Sequence, residues 1–303
     1  MCQEAELSRK KRILVFGQSG QVGGYLSQFI QSSGQFTLLD SPRQSDGTRF
    51  DLSNTDQIAS FILAAQPDWV VNTAAYTAVD QAEDDQVQCY NINYLAPREM
   101  AIAAQSIGAG FVHYSTDYVF DGESTRPYGE SDETNPRSVY GKSKLAGEQA
   151  VLDAMPEALI LRTAWVYAKT GKNFVNTMLR LANTHSSLRV VDDQIGCPTF
   201  ASDLAEVTLN IIQRIERREV IHQGGIYHAT GQGAVSWYEF CQKIMMLSGF
   251  SDIKIDPIPS EAFPTPAPRP RYSVLDNSKL FSVYGLALPE WQSSLGTMLA
   301  GDL

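Results

Sequence analysis

Along the first half of the chain, short apolar runs rich in β-branched and aromatic residues take turns with longer amphipathic segments. "RILVF" precedes Gln21 to Ser33, "FTLLD" precedes Asn54 to Ala65, "DWVVNTAA" precedes Val79 to Ile107, and "GFVHYST" follows. A strand covered by helices on both faces reads as one continuous apolar run, whereas a half-exposed strand alternates. This order predicts an α/β fold built on a doubly wound parallel sheet. A helix around Val139 to Leu152 and a strand at "ALILRTAWVY" bring the expected sheet to six or seven strands.

Past Lys169 the rhythm loosens into helices (Asn173 to Asn183, Ser202 to Arg217, Trp237 to Leu247) set between turn-rich stretches. With 303 residues, 43% of them hydrophobic, the chain can bury one large core and a lesser one. We expect a dinucleotide-binding domain mainly over 11–168. A smaller mixed C-terminal substrate-binding domain follows over 169–303, with some chain crossing back to the sheet. "PIPSEAFPTPAPRPRY" has too many prolines for one regular element and reads as an ordered loop over a ligand cleft.

A formal net charge of -10 argues against a nucleic-acid or anionic-membrane partner. The one basic run, "SRKKR" at Ser8 to Arg12, reads as a solvated lead-in to the first strand. Cys2, Cys89, Cys197 and Cys241 are scattered without CxxC spacing, which suggests neither a disulfide framework nor a zinc site. There is no long apolar span and no signal-like leader, so a soluble cytoplasmic protein is expected.

"ILVFGQSGQVGGYLSQFI" sets Gly17, Gly20 and Gly23 where the first strand gives way to the first helix. Glycines there permit a tight turn and close backbone approach, and the helix N-terminus offers N–H groups to a pyrophosphate. This is the setting a Rossmann-like dinucleotide site requires. Asp40 stands about 20 residues beyond the turn, where a carboxylate can accept from ribose hydroxyls, which favours NAD. Arg43 follows closely and suits a 2'-phosphate, so NADPH and NADH both remain open. "FDLSN" offers Asp51 and Leu52 after a further short strand, with Ser53 as a candidate helix cap.

"NTAAYT" (Asn72 to Thr77) ends a strand with small residues against which a cofactor can lie. "HYSTDYVFDG" ends the next with Ser115, Thr116 and Asp117 at the same sheet edge. In "NPRSVYGKSKLAGEQA", Tyr140 and Lys144 fall one helical turn apart on one face. A hydride delivered to a ketone leaves an alkoxide, which needs an acid as it forms. A phenol serves if a neighbouring cation stabilises its phenolate. Lys144 can supply that field, and Thr116 can donate to the substrate oxygen or tune the phenol.

The glycine spacing GxxGxxG resembles that of the extended short-chain dehydrogenase/reductase superfamily. The strings "GQSGQVG", "VVNTAAYTAVDQAE", "HYSTDYVFDG", "YGKSKLAGE", "LRTAWVYA", "NFVNTMLRLA", "DDQIGCPTFASDLA", "GIYHATG" and "PTPAPRPRYSVLD" resemble the dTDP-4-dehydrorhamnose reductase family over almost the whole chain. The resemblance implies an oxidoreductase that uses NADPH, with NADH possible. It would reduce the C4 ketone of dTDP-4-dehydro-6-deoxy-L-mannose to dTDP-β-L-rhamnose, for cell-surface polysaccharide.

It further implies Tyr140 as proton donor, Lys144 on the nicotinamide ribose and Thr116 as tuner. Gly17, Gly20, Gln21, Val22 and Gly23 would form the pyrophosphate loop. Asp40, Asp51 and Leu52 would meet adenosine, and Ala75, Tyr76 and Thr77 would line the inner cofactor wall. Thr116, Asp117 and Trp165 would face the dTDP-sugar.

Some members of the family dimerise through a magnesium ion held by glutamates, one of them at the position of Tyr25. A phenol is a poor substitute for a carboxylate on that cation, so no metal is expected, and the state is monomer or homodimer. Pro268 stands where family members commonly carry an arginine, which leaves the roles of Arg269 and Arg271 open. Two other readings stand beside the reductase. One is an epimerase or dehydratase of the same branch, although "STDY" offers one carboxylate where dehydratases commonly have two. The other is a non-catalytic regulatory subunit resembling that of methionine adenosyltransferase.

Overall fold

The computed structural model describes residues 9–40, 50–250 and 252–301. The first half runs β1 (Lys11–Phe16), α1 (Gln21–Ser33), β2 (Phe36–Leu38), α2 (Asp56–Ala65), β3 (Trp69–Asn72), α3 (Gln86–Tyr90), α4 (Ala96–Ser106), β4 (Gly110–Thr116), α5 (Val139–Ala154) and β5 (Leu159–Thr163). The second half runs β6 (Val166–Tyr167), α6 (Phe174–Ala182), β7 (Ser187–Val191), β8 (Ile195–Gly196), β9 (Thr199–Phe200), α7 (Ala201–Glu216), β10 (Gly225–His228), β11 (Val235–Ser236), α8 (Trp237–Leu247), β12 (Lys254–Ile258), α9 (Ser278–Tyr284) and α10 (Trp291–Ala300).

Six strands make the central sheet in the order β2-β1-β3-β4-β5-β10. All of its pairings are parallel. Consecutive residues of β1 point to opposite faces and both faces are buried. Ile13 and Val15 pack with Leu26 and Ile30 of α1 and Leu204 and Ile211 of α7. Leu14 and Phe16 pack with Ile58 of α2, Met100 of α4 and Val151 of α5. That double covering is the physical cause of the unbroken apolar runs. The chain leaves β1 for β2 on one side and returns to β3 on the other. The sheet is therefore doubly wound, and the switch point opens a crevice at the carboxyl ends of β1 and β3.

A second, smaller core gathers Tyr167, Val175, Leu188, Phe200, Phe240 and Trp291 from the later elements. Its strands form two-stranded pairs, β7 with β12, β8 with β11 and β6 with β9. β10, by contrast, belongs to the main sheet and pairs with β5.

Local structure departs from the sequence reading in four places. "ALILRTAWVY" is two strands, because Trp165 adopts a left-handed backbone, φ 47°, between β5 and β6. Val79 to Ile107 is broken into a 3-10 turn at Gln81–Glu83, α3, a π turn at Asn91–Leu95, and α4. Phe50, where the short strand expected before Asp51 would end, lies outside any strand, and residues 41–49 lie outside the described residues. Ser53 does not cap a helix, since its hydroxyl and N–H both donate to Asp51 Oδ1, at 2.7 and 2.9 Å, and α2 begins after Thr55.

The proline-rich tail supplies the end of β12 and then runs as a strap across the sheet edge. Tyr272 N donates to Gly122 O at 3.1 Å, and Ile195 N donates to Arg271 O at 2.8 Å. Among the described residues, no helix is long and apolar enough to cross a membrane. The three described cysteines, Cys89, Cys197 and Cys241, are buried thiols. No cluster of His, Cys, Asp and Glu among the described residues is arranged to hold a metal ion. Cys2 and Arg43 lie outside the described residues.

Candidate active site

At the switch point β1 ends in Phe16, and Gly17 turns the chain with φ 88°. A Cβ on Gly23 would come 2.2 Å from Gly17 O and 2.6 Å from Thr73 Oγ1, so the first turn of α1 closes directly on the strand ends. Gly20 caps α1 without any side-chain hydrogen bond, and the first turn holds no acidic residue. This is a helix N-terminus whose N–H groups and partial positive charge suit a pyrophosphate. Gln21 and Val22 begin that helix. Gln21 Oε1 accepts from Asn173 Nδ2 at 2.9 Å, which ties the later half of the chain to the glycine turn.

Asp40 lies exposed just past β2. Gln18 Nε2 donates to the neighbouring Leu39 carbonyl at 2.9 Å, so Asp40 sits beside the glycine turn. Leu52 packs with the core beneath Phe16, and the exposed Asp51 closes the turn around Ser53. Ala75 and Tyr76 continue from β3 partly buried, and Thr77 is exposed. Asn93, inside the π turn, holds Tyr76 by both backbone groups. Its Oδ1 accepts from Tyr76 N at 2.9 Å and its Nδ2 donates to Tyr76 O at 3.1 Å. Sequence reading did not single out Asn93, because nothing local announces that a π turn will aim it at the strand end.

α5 starts at Ser138, whose side chain accepts from Gly141 N at 3.1 Å, an ordinary N-cap. Gly147 lets the helix press on the π turn, since a Cβ there would stand 2.1 Å from Asn93 O. One turn beyond Lys144, Glu148 forks onto Arg162 of β5 at 2.9 and 2.7 Å. These contacts fix the face that carries Tyr140 and Lys144.

Tyr140 packs edge-on against Tyr118, with ring centroids 5.5 Å apart. Burial pushes its phenol pKa above the usual tyrosine value, and a hydrogen bond from the Thr116 hydroxyl pulls the other way. Thr116 ends β4 and is buried. Its hydroxyl also donates to Asp117 Oδ1 at 3.0 Å and accepts from Tyr118 N at 3.2 Å. One hydroxyl proton therefore has two takers, a carboxylate and the phenol oxygen. Asp117 is buried, which pushes its carboxyl up to about 6, and Ser273 of the strap and Thr116 counter this by hydrogen bonding. Asp117 Oδ2 and Ser273 Oγ both fall short of strict hydrogen-bond geometry.

Lys144 is almost wholly buried. Its Nζ donates to Tyr114 O at 2.5 Å and lies 3.2 Å from His113 Nε2. Burial lowers its ammonium pKa to about 8, while Glu148 and Cys89 act in the opposite direction. Thr116, Asp117, Tyr140 and Lys144 thus come together at the carboxyl edge, beyond the glycine turn.

Trp165 is placed differently from a free apolar wall. Trp237 lies flat on its ring, with centroids 3.4 Å apart and planes 5° from parallel. The Gly196 backbone presses on the indole, so that a Cβ there would come 2.5 Å from it. What the site offers at this point is the margin of a two-indole stack. Trp237 is far away in sequence, and only the fold reveals it. Tyr25 packs against Phe29 and Phe200 and presents no carboxylate.

Of the two arginines in "PRPR", Arg269 pairs with Asp80 at 2.7 Å, beside Tyr118 and Ser138. Arg271 pairs with Glu261 at 2.6 Å in the open.

The arrangement can hold a dinucleotide across the switch point with a phenol, a hydroxyl and an amine at its far end. Comparison with known proteins agrees with that chemistry. The family model described as the RmlD substrate binding domain matches residues 11–302. A dTDP-4-dehydrorhamnose reductase of Sinorhizobium fredii is 41% identical over 287 residues, 93% of this chain and 95% of that protein. The dTDP-4-dehydrorhamnose reductase of Escherichia coli is 39% identical over 292 residues, 95% of this chain and 96% of that protein. Among solved structures, a dTDP-4-dehydrorhamnose reductase of Clostridium acetobutylicum superposes with a TM-score of 0.86 at 40% identity, covering 95% of this chain and 98% of that one. Another, of Bacillus anthracis in complex with NADP, gives 0.87 at 33% identity, covering 97% and 100%.

Proposed function

Because the chain belongs to the dTDP-4-dehydrorhamnose reductase family, we propose that Tyr140, Lys144 and Thr116 carry out its reduction of the C4 ketone of dTDP-4-dehydro-6-deoxy-L-mannose. The product is dTDP-β-L-rhamnose and the cofactor a nicotinamide dinucleotide. The observation that carries the residue assignment is the convergence of Thr116, Asp117, Tyr140 and Lys144 at one sheet edge, beyond a glycine turn shaped for a pyrophosphate.

A bound reduced nicotinamide supplies the hydride. The chain supplies the proton and the setting. Gly17, Gly20 and Gly23 leave room for the pyrophosphate on the α1 N-terminus, with Gln21 and Val22 beside it. Asp40 suits ribose hydroxyls, Asp51 and Leu52 the adenine side, and Ala75, Tyr76 and Thr77 the inner wall. As the ketone oxygen gains negative charge, the Tyr140 phenol donates its proton to that oxygen. Burial alone makes the phenol too weak an acid. An ammonium at Lys144 favours the phenolate left behind, and the Thr116 hydroxyl can turn from Asp117 to stabilise it. Asp117 and the margin of the Trp165 stack border the space for the sugar.

This assignment implies cytoplasmic work on a sugar nucleotide, as a monomer or homodimer, in the supply of a deoxysugar for surface polysaccharide. The test is oxidation of NADPH and of NADH driven by dTDP-4-dehydro-6-deoxy-L-mannose, with wild type and Tyr140→Phe. We expect turnover by wild type and a loss of about two to four orders of magnitude in the variant. No turnover by wild type rejects the reading. Full turnover by Tyr140→Phe rejects the assignment of the acid.

A further inference from the structure

Asn72 ends β3, and His113 is its register partner on β4. Both are buried. Asn72 Oδ1 accepts from Ala74 N at 3.1 Å, which sets the orientation of the amide. Its Nδ2 therefore faces His113 Nδ1, at 3.1 Å. An amide nitrogen only donates, so Nδ1 must be the accepting nitrogen of the ring. The single proton of the neutral imidazole then sits on Nε2. Burial, the largest cause, holds the ring's pKa well below the usual histidine value, so it stays neutral.

That Nε2–H is directed at Lys144 Nζ, 3.2 Å away. An ammonium has no lone pair with which to accept it. A neutral amine does, and can still donate to Tyr114 O at 2.5 Å. Other ionisable groups also face this nitrogen. Glu148 approaches from α5, already held by Arg162 of β5. The Cys89 thiol approaches from α3.

We propose that His113 is a positioning residue, locked by Asn72 as an Nε2–H donor, which at mildly alkaline pH keeps Lys144 drawn back against β4 as an uncharged amine until a dinucleotide binds. Binding then takes up one proton. The inference rests on the reductase reading, in which Lys144 serves as an ammonium on the nicotinamide ribose. The balance is simple: the amine nitrogen gains a proton from solvent, His113 keeps its own, and no electrons are transferred. The His113 side chain touches neither cofactor nor substrate in this scheme and acts only through Lys144.

The experiment is calorimetric titration of the full chain with NADPH in two buffers of different ionisation enthalpy, at about pH 6.5 and about pH 8.5. At the lower pH most of Lys144 is already charged, and uptake is expected to be small. At the higher pH the cofactor's own phosphates are fully ionised, and uptake is expected to be several-fold larger. Asn72→Asp keeps an acceptor for Ala74 N and offers a second oxygen to Nδ1. The ring proton moves to Nδ1, and Nε2 becomes an acceptor for an ammonium. His113→Gln can likewise turn a carbonyl oxygen to Lys144. Either variant, shown to be folded by its near-ultraviolet circular dichroism, is expected to lose roughly half or more of the uptake at the higher pH. Wild-type binding with no buffer dependence overturns the inference, as does wild-type uptake in both variants. Absence of any NADPH binding overturns the reductase reading itself.

Discussion

Glu148 and Arg162 meet through two hydrogen bonds, at 2.9 and 2.7 Å, with their side chains 1% and 2% exposed. Phe120 lies under the guanidinium, its ring centre 5.1 Å from Cζ. The pair bolts α5 to β5 one turn from Lys144. A buried pair adds little net stability, but removing one partner strands the other charge at a cost of about 3–5 kcal/mol. We expect Arg162→Met to lose about that much in urea unfolding, and Glu148→Leu combined with Arg162→Met to recover a substantial part. Equal losses in the single and double variants would show that packing, and not the stranded carboxylate, sets the cost.

The glycine turn makes a sharper demand on space than on sequence. Gly23→Ala would place a methyl 2.2 Å from Gly17 O and 2.6 Å from Thr73 Oγ1, both part of the strand-end wall. Neither neighbour is the free end of a flexible side chain, so the turn itself must open. Overpacking of this kind costs about 1–3 kcal/mol. Under the proposed assignment it would also move the α1 N–H groups away from the pyrophosphate. NADPH affinity, followed by fluorescence titration, should fall about tenfold or more, and an unchanged affinity in a folded variant would rule out this turn as the phosphate site.

How much of this could be read beforehand varies with how local each cause is. Unbroken apolar runs arise from helices on both faces of the sheet, so the α/β order and the β1–α1 glycine turn were legible in the sequence. The one-turn spacing of Tyr140 and Lys144 is likewise a property of a single helix. The His113–Asn72 contact was not legible, because it depends on the register of two strands about 40 residues apart. Trp237 on Trp165, β10 as sixth strand of the sheet, and Asn93 on Tyr76 depend on long-range packing in the same way. Helix breaks at the π turn and the left-handed Trp165 were invisible for a related reason. Tertiary contacts, not local propensity, support those conformations.

Asp117 makes a prediction whose sign depends on the direction of its shift. Its carboxyl pKa is raised by burial to about 6 in the folded chain, above the ordinary aspartate value. The folded state therefore holds this proton more tightly than the unfolded state, and the group's contribution to stability falls as pH rises from about 4 through about 6. Above that window the ionised carboxylate is a full penalty. Asp117→Asn should therefore be more stable than wild type near neutral pH, by about 1–3 kcal/mol. The gain should shrink toward zero below about pH 4. Urea midpoints measured across that range test it, and a gain independent of pH would be incompatible with a raised carboxyl.

Arg269 and Asp80 join the proline-rich strap to the loop after β3 through a 2.7 Å ion pair, with side chains 20% and 42% exposed. Arg269 Nη1 also donates to Ala267 O at 3.2 Å, and Ala267 N donates to Asp80 Oδ1 at 3.2 Å, so the carboxylate organises the bend of the strap as well as the charge. Such exposure makes the pair a weak stabiliser, worth about 0–1 kcal/mol. Its value lies in position, because the strap passes beside Tyr118, the ring packed on Tyr140, and carries Ser273 to Asp117. Arg269→Ala should leave the unfolding midpoint nearly unchanged and raise KM for the sugar nucleotide several-fold. The KM for NADPH should change less, since the glycine turn proposed for the pyrophosphate makes no contact with this ion pair. Asp80→Asn should produce a smaller rise of the same kind, because it keeps one acceptor for Ala267 N. If both variants instead lower kcat at unchanged KM, the strap governs the acid through Tyr118 and does not order the substrate.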